Sequence, residues 1–202
     1  MSCRILVLYY SRNNSVLHLA EEIAAGIENI SSCEAFLRTV PPVAPLTEGI
    51  NHQTDNSSPH EFVTLDDLKI CDGLALGSPT RFGNMAAPMK YFWDTTTAEW
   101  FSGTLINKPA AVFTSTASLH CGQETTLLSM MLPLWHHGMI LLGVPASEAT
   151  VLSTSTGGSF YGATHVSGAN ADPTLSAEEI KICRTLGKRL AEVALKLKNT
   201  TI

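Results

Sequence analysis

Charge is scarce in this chain of 202 residues: Asp, Glu, Lys and Arg together make up 15%. Thirteen Lys and Arg stand against 18 Asp and Glu, for a formal net charge of −5. No basic surplus is present to neutralise phosphates, which argues against nucleic acid as the main partner. Cysteine is equally thin. Cys3, Cys33, Cys71, Cys121 and Cys183 are widely spaced and form no C-x-x-C pair, which speaks against a disulfide framework and a structural zinc site. Reduced thiols in a cytoplasmic protein are the expectation. There is no apolar run near the roughly 20 residues a membrane span needs, and the start MSCRILVLYYSRNN lacks a cleavage-site pattern. Two phosphate signatures are missing as well: neither G-x-G-x-x-G nor a Walker glycine-lysine loop occurs after the first strand, so a dinucleotide-binding fold or an NTPase loses its usual evidence.

What the chain does have is core-forming material, with 45% hydrophobic residues. At this length one domain over residues 1–202 is expected, with surplus for long loops. Arg4 to Tyr10 (RILVLYY) is a continuous apolar run of strand formers, the pattern of a strand covered on both faces. From Val16 to Ile30, apolar residues recur every three or four positions and predict an amphipathic helix. Strands are predicted at Glu34–Val40, Asp72–Gly77, Ala110–Thr114 and Met139–Val144, and helices at Leu65–Ile70, Met85–Thr95, Gln123–His137 and Ala177–Leu197. Residues 41–62, rich in proline and small polar residues, read as one long surface loop. Five short buried strands alternating with helices describe a doubly wound parallel sheet with helices on both faces.

Ligands of such sheets bind outside the carboxyl ends of the strands, where strand order reverses. Three loops therefore matter. Ser11-Arg12-Asn13-Asn14-Ser15, leading into Val16 and the first helix, offers hydroxyls and unpaired amides to an anion, although Ser15 could equally be a helix cap. The loop Ser78 to Met85 (SPTRFGNM) gathers hydroxyls, a cation, an aromatic ring and a glycine, a set suited to approaching a flat heteroaromatic ring. Ser115 to Glu124 is again small and hydroxyl-rich before a helix. Adjacent His136 and His137 point about 100° apart on a helix, which is unlike a metal-binding spacing of four, and no metal is expected.

Taken together, LVLYYS, GSPTRFGNM, TSTAS followed by GQET, HHGM and YGAT resemble the WrbA family of flavodoxin-like NAD(P)H:quinone oxidoreductases (type IV), from Ile5 to about Leu197. That resemblance implies a flavodoxin-like fold and FMN, with NADH or NADPH as co-substrate and a quinone as acceptor. Electrons would pass two at a time, as hydride through flavin N5, in a ping-pong scheme. Ser11, Arg12, Asn13, Asn14, Ser15 and Val16 would hold the FMN phosphate. Thr80, Arg81 and Phe82 would contact the isoalloxazine, with Gly83 and Asn84 shaping the turn. Ser115, Thr116, Ala117, Ser118, Leu119 and His120 would run along the other edge. His136 would reach the flavin from the rim, and Trp100 would wall the pocket where quinone and nicotinamide stack. Arg81 and His136 would stabilise negative charge. Asn13 takes the position at which relatives hold the nicotinamide. Asn14 stands where such loops usually carry glycine, and Asn tolerates the left-handed region. The resemblance also implies a homotetramer. A one-electron carrier docking to redox partners is the alternative reading.

Overall fold

The structure, a computed structural model, describes residues 2–44 and 58–200. Seven apolar-rich residues form β1 (Cys3–Tyr9), and its alternation decides the layers. Ile5, Val7 and Tyr9 face one core; Leu6 and Leu8 face the other. Burial on both sides is why the run is continuously apolar rather than alternating. The first core is closed by α1 (Ser15–Glu28) and α7 (Ala177–Lys198). The second is closed by α2 (Leu65–Ile70), α3 (Ala87–Asp94) and α5 (Gln123–His136). Helices α1 and α7 cross in near backbone contact: a Cβ on Gly187 would lie 2.1 Å from the Ile23 carbonyl oxygen. Only glycine fits there.

With β2 (Cys33–Thr39), β3 (Gly73–Pro79), β4 (Pro109–Thr116) and β5 (Ile140–Leu141), the parallel sheet runs in the order β2-β1-β3-β4-β5. This is the flavodoxin-like order, and it reverses between β1 and β3. The predicted α/β sheet is present, but its fifth position differs from the expectation of a strand over Met139–Val144. Only Ile140–Leu141 pairs with the start of β4, at Pro109 and Ala110. The chain then departs at Gly143 and Pro145 and returns as β6 (Ala163–Val166), which pairs with Phe113–Thr116 of the same strand. Because β3 occupies the other edge of β4, β5 and β6 are two pieces of one edge position. The excursion is closed at its neck by the Val144 N–H donating to the Phe160 carbonyl (3.0 Å). Four residues with a Thr and a His carry too little periodicity to mark β6 from sequence. The short helices α4 (Thr97–Phe101) and α6 (Thr150–Ser153) escape notice for the same reason.

Of the predicted 41–62 loop, residues 45–57, including His52, lie outside the described residues. Its far end is built into the structure. Thr39 donates to the Glu61 carbonyl and accepts from Val63, and the Tyr9 hydroxyl bonds Ser58 Oγ and His60 Nδ1, each at 2.9 Å. No helix among the described residues is long and apolar enough to cross a membrane.

Candidate functional site

The loops that leave β1, β3 and β4 meet at the sheet's carboxyl end. Tyr10 N–H donates to the Gly77 carbonyl (3.0 Å) and Thr80 N–H to the Ser115 carbonyl (3.0 Å), so the three strand ends are tied side by side. They open a cleft of about 360 Å³ lined by Ser11, Arg12, Asn13, Ser15, Val16, Pro79, Thr80, Arg81, Ser115, Thr116 and Ala117. No carboxylate lines it among the described residues, whereas Arg12 and Arg81 do. The cleft is therefore suited to an anionic ligand.

At the first loop the chain turns into α1 through Asn14, at φ 62°, in the left-handed region. This is the conformation expected of an asparagine in a glycine's place. Asn14 gives the helix no side-chain cap, and Ser15 lies within the first turn rather than at the cap. The first-turn amides are thus without side-chain acceptors, as helix N-termini that hold anions require. The hydroxyl of Ser11 adds an independent sign, because its buried Oγ has no hydrogen-bond partner. An unpaired buried hydroxyl costs about 1–3 kcal/mol, so it marks a place where a ligand oxygen fits. Replacing Asn14 with Val should destabilise the protein by about 2 kcal/mol, while Gly should be tolerated within about 0.5 kcal/mol. Urea midpoints of the two variants check this.

The second loop is a tight turn. Arg81 and Asn84 exchange backbone hydrogen bonds of 2.7 and 3.1 Å, while Phe82 (φ 54°) and Gly83 (φ 77°) both lie in the left-handed region. A bulky residue at positive φ is uncommon, and the Phe82 ring is fully exposed. Strain and an exposed apolar ring together are paid by the rest of the fold, and such features concentrate at ligand sites. The Thr80 hydroxyl accepts from Thr126 Oγ1 (2.8 Å) and Gly83 N–H (3.3 Å), which fixes the turn from below. Arg81 Nη1 donates to the Thr80 carbonyl (2.7 Å). A Cβ on Gly122, at the start of α5, would lie 3.1 Å from Gly83 Cα, so the second and third loops touch through two glycines. In the third loop Thr116 Oγ1 donates to the Ser118 carbonyl (2.9 Å) and accepts from Gln123 (3.1 Å). Ser118, Leu119 and His120 follow, exposed, beyond the cleft lining.

A fourth loop joins them that the sequence did not signal. Ser167, Gly168, Ala169 and Ala171, just past β6, line the same cleft. Ser167 fastens them to β4 through bonds from its N–H (2.9 Å) and Oγ (3.2 Å) to the Thr116 carbonyl. The run Ser-Gly-Ala has the small-residue character of the third loop, but without a recognised strand before it the signal is invisible.

Two predicted residues are elsewhere. Trp100 Nε1 donates to the His136 carbonyl (2.8 Å), and both line a separate cavity of about 450 Å³ with Trp93, Leu132 and His137. That cavity lies at the amino end of the sheet, because Asn107 N–H bonds the Gly138 carbonyl and Ile140 pairs with Pro109 at the start of β4. Eight-residue β4 separates the two ends by about 26 Å. Within one chain Trp100 and His136 thus stand apart from the cleft, because the crossover helices carry them to the other end of the sheet. His137 is buried, bonding Thr96 Oγ1 (3.0 Å) and packing edge-on against Trp93; burial pushes its pKa down.

Comparisons with known proteins agree with this geometry. Residues 4–150 match the family model described as NADPH-dependent FMN reductase. A protein named NAD(P)H dehydrogenase (quinone) from Chromohalobacter salexigens is 40% identical over 199 residues, covering 96% of this chain and 98% of its own. Among solved structures, a WrbA-like flavodoxin from Agrobacterium tumefaciens superposes with a TM-score of 0.67 at 22% identity, over 96% of this chain and 99% of that one. A flavodoxin from the domain Archaea gives 0.62 at 20% identity, over 97% and 99%. At such identities the two structures speak for the fold. The orphaned Ser11 hydroxyl, the uncapped α1 terminus and the carboxylate-free cleft fit the phosphate of a bound flavin. The chain belongs to the NADPH-dependent FMN reductase family, and is a flavin-dependent oxidoreductase that draws electrons from NAD(P)H.

Proposed function

We propose that the chain folds as one flavin domain and catalyses two-electron reduction of quinones by NAD(P)H, in a ping-pong sequence through the cleft. The observation that carries the reading is the meeting of the loops from β1, β3 and β4 around the unpaired Ser11 hydroxyl. The Chromohalobacter relative's name supports quinone as acceptor. When bound, FMN supplies a reversible two-electron centre that takes hydride from the nicotinamide and yields it to the acceptor.

The protein's own part is placement. The α1 amides with Ser11 and Ser15 bind the phosphate, and Arg12 offsets its charge. The Thr80–Asn84 turn sets the ring edge, and Ser115–Ala117 bound the opposite side. Phe82 offers the exposed aromatic surface against which a planar quinone or nicotinamide can stack. Arg81 neutralises negative charge that builds during transfer. No side chain has to act as a general base.

Trp100 and His136 contribute only from another copy of the chain. Tyr91, Phe101, Leu132 and Trp135 are exposed on the same three helices, α3, α4 and α5, an apolar surface that supports the homotetramer reading. The free thiols support a reducing, cytoplasmic setting.

Anaerobic NADPH with benzoquinone and the FMN-loaded protein tests the reading. Catalytic quinone turnover is expected; negligible turnover would favour the one-electron carrier. Trp100→Ala should raise KM for quinone about tenfold while leaving FMN affinity unchanged. An unchanged KM would detach Trp100 from the acceptor pocket.

A further inference from the structure

His165, in the second half of β6, is almost wholly buried and sits between two acceptors. Its Nδ1 lies 2.9 Å from Glu179 Oε2 and its Nε2 lies 2.8 Å from the Asp172 carbonyl oxygen. A carbonyl cannot donate, and neither can an ionised carboxylate. Both contacts are hydrogen bonds only when both ring nitrogens carry protons, so the ring is an imidazolium. The Asp172 carbonyl ends the segment 167–172, which lines the cleft from its fourth side, and Asp172 N–H closes that segment on the Ser167 carbonyl (2.9 Å). From α1, His18 Nδ1 meets the next carbonyl, Pro173, at 2.8 Å.

We propose that His165 is a positioning residue for FMN: its imidazolium holds the 167–172 loop against the cleft, and so couples flavin affinity to pH. This rests on the reading of the cleft as the flavin site. The charged groups around the ring are Glu179 from α7 and Asp172 from the loop itself; Glu178 is turned away, accepting from Thr154 Oγ1 (3.3 Å). Burial pushes the His165 pKa down, but the bonds to Glu179 and the Asp172 carbonyl outweigh it, and the net direction is upward. A raised value fixes the sign. The charged form holds the loop below the folded-state value, and the bond to the Asp172 carbonyl is lost as pH rises through that value, when the ring keeps only one proton.

Three measurements decide it. In the FMN-free protein, the His165 Cε1–H resonance should titrate above the ordinary histidine value of about 6.5. Amide exchange of residues 167–172, corrected for intrinsic rates, should accelerate over the same pH range. The FMN dissociation constant should rise about tenfold from about pH 6 to about pH 9.5, the loss expected for one charge-assisted hydrogen bond. In His165→Gln the constant should already be raised and should stay flat over that range. A merely structural His165 would give parallel pH profiles for the two proteins, and that result, or titration at or below about 6.5, overturns the proposal. If the unsubstituted chain bound no FMN at any pH, the flavin reading would fall. The resonance and the exchange of 167–172 would still decide whether the imidazolium holds the loop.

Discussion

Glu179→Ala is expected to cost about 3–5 kcal/mol of stability and to lower the melting temperature by roughly 10 °C. Few side chains in the molecule are so committed. The carboxylate is almost fully buried and accepts five hydrogen bonds. Two come from groups that precede β6, Thr156 Oγ1 and Gly157 N–H, and two from the strand itself, His165 Nδ1 and Val166 N–H. The fifth, from Ser176 N–H, completes the capping box that starts α7. Removing the side chain would leave His165 Nδ1–H and the Val166 and Ser176 amides without their acceptor, and each orphaned group carries its own desolvation penalty. Glu179→Gln keeps the shape but not the charge, so it should fall between wild type and Ala. A Glu179→Ala melting temperature within about 2 °C of wild type would show that water replaces these bonds at little cost.

The same pair sets the pH window of stability. Burial pushes Glu179 upward, but the hydrogen bonds, that from His165 foremost, overcome it and hold the carboxyl at about 2. A depressed acid stabilises the fold above its unfolded value of about 4.5 and loses that contribution as pH falls toward 2. His165, whose value is raised, contributes fully below its unfolded value of about 6.5 and loses the contribution as pH rises through its folded one. Thermal stability should therefore decline on both the acid and the alkaline side. In Glu179→Ala both slopes should flatten.

The second large effect concerns binding. Ser11→Ala combined with Ser15→Ala should weaken FMN by about 100-fold, since two hydrogen bonds to a charged phosphate are removed at about 1.5 kcal/mol or more each. The rate of nicotinamide oxidation at saturating FMN should stay within about twofold, because the reading assigns both hydroxyls to the phosphate. Ser11→Ala has a further signature. Its Oγ is buried and unpaired, so its loss should not destabilise the FMN-free protein. A drop in FMN-free melting temperature would instead mean that Ser11 serves the fold.

Much of this architecture could be read from local pattern, and the exceptions have physical causes. β1 was legible because burial on both faces makes Ile5–Tyr9 apolar without interruption, and α1 because its stripe of Val16, Leu19, Ala20, Ile23 and Ile27 faces the core. The convergence of Ser11, Thr80 and Ser115 followed from topology, since parallel strands deliver their loops to one rim. Asn14 was legible from its side chain's tolerance of positive φ. What failed were features set by distant partners. β6 is a strand because Phe113–Thr116 leave an edge for it, not because Ala-Thr-His-Val favours one. Its loop, and the bond from His165 to α7, were hidden with it. The distance of Trp100 and His136 from their own chain's cleft was not legible either, because a motif shows which residues occur together, but not which end of the sheet a crossover helix carries them to.

Titration of the FMN-free protein with FMN, followed by flavin fluorescence and near-ultraviolet absorbance, tests the central claim most directly. Four loops at one rim of the sheet, one of them presenting an unpaired buried hydroxyl, predict saturable binding of one flavin per chain at micromolar concentration or below, weakened by the Ser11 and Ser15 substitutions. Absence of saturation at tens of micromolar, or binding indifferent to those two serines, would contradict it.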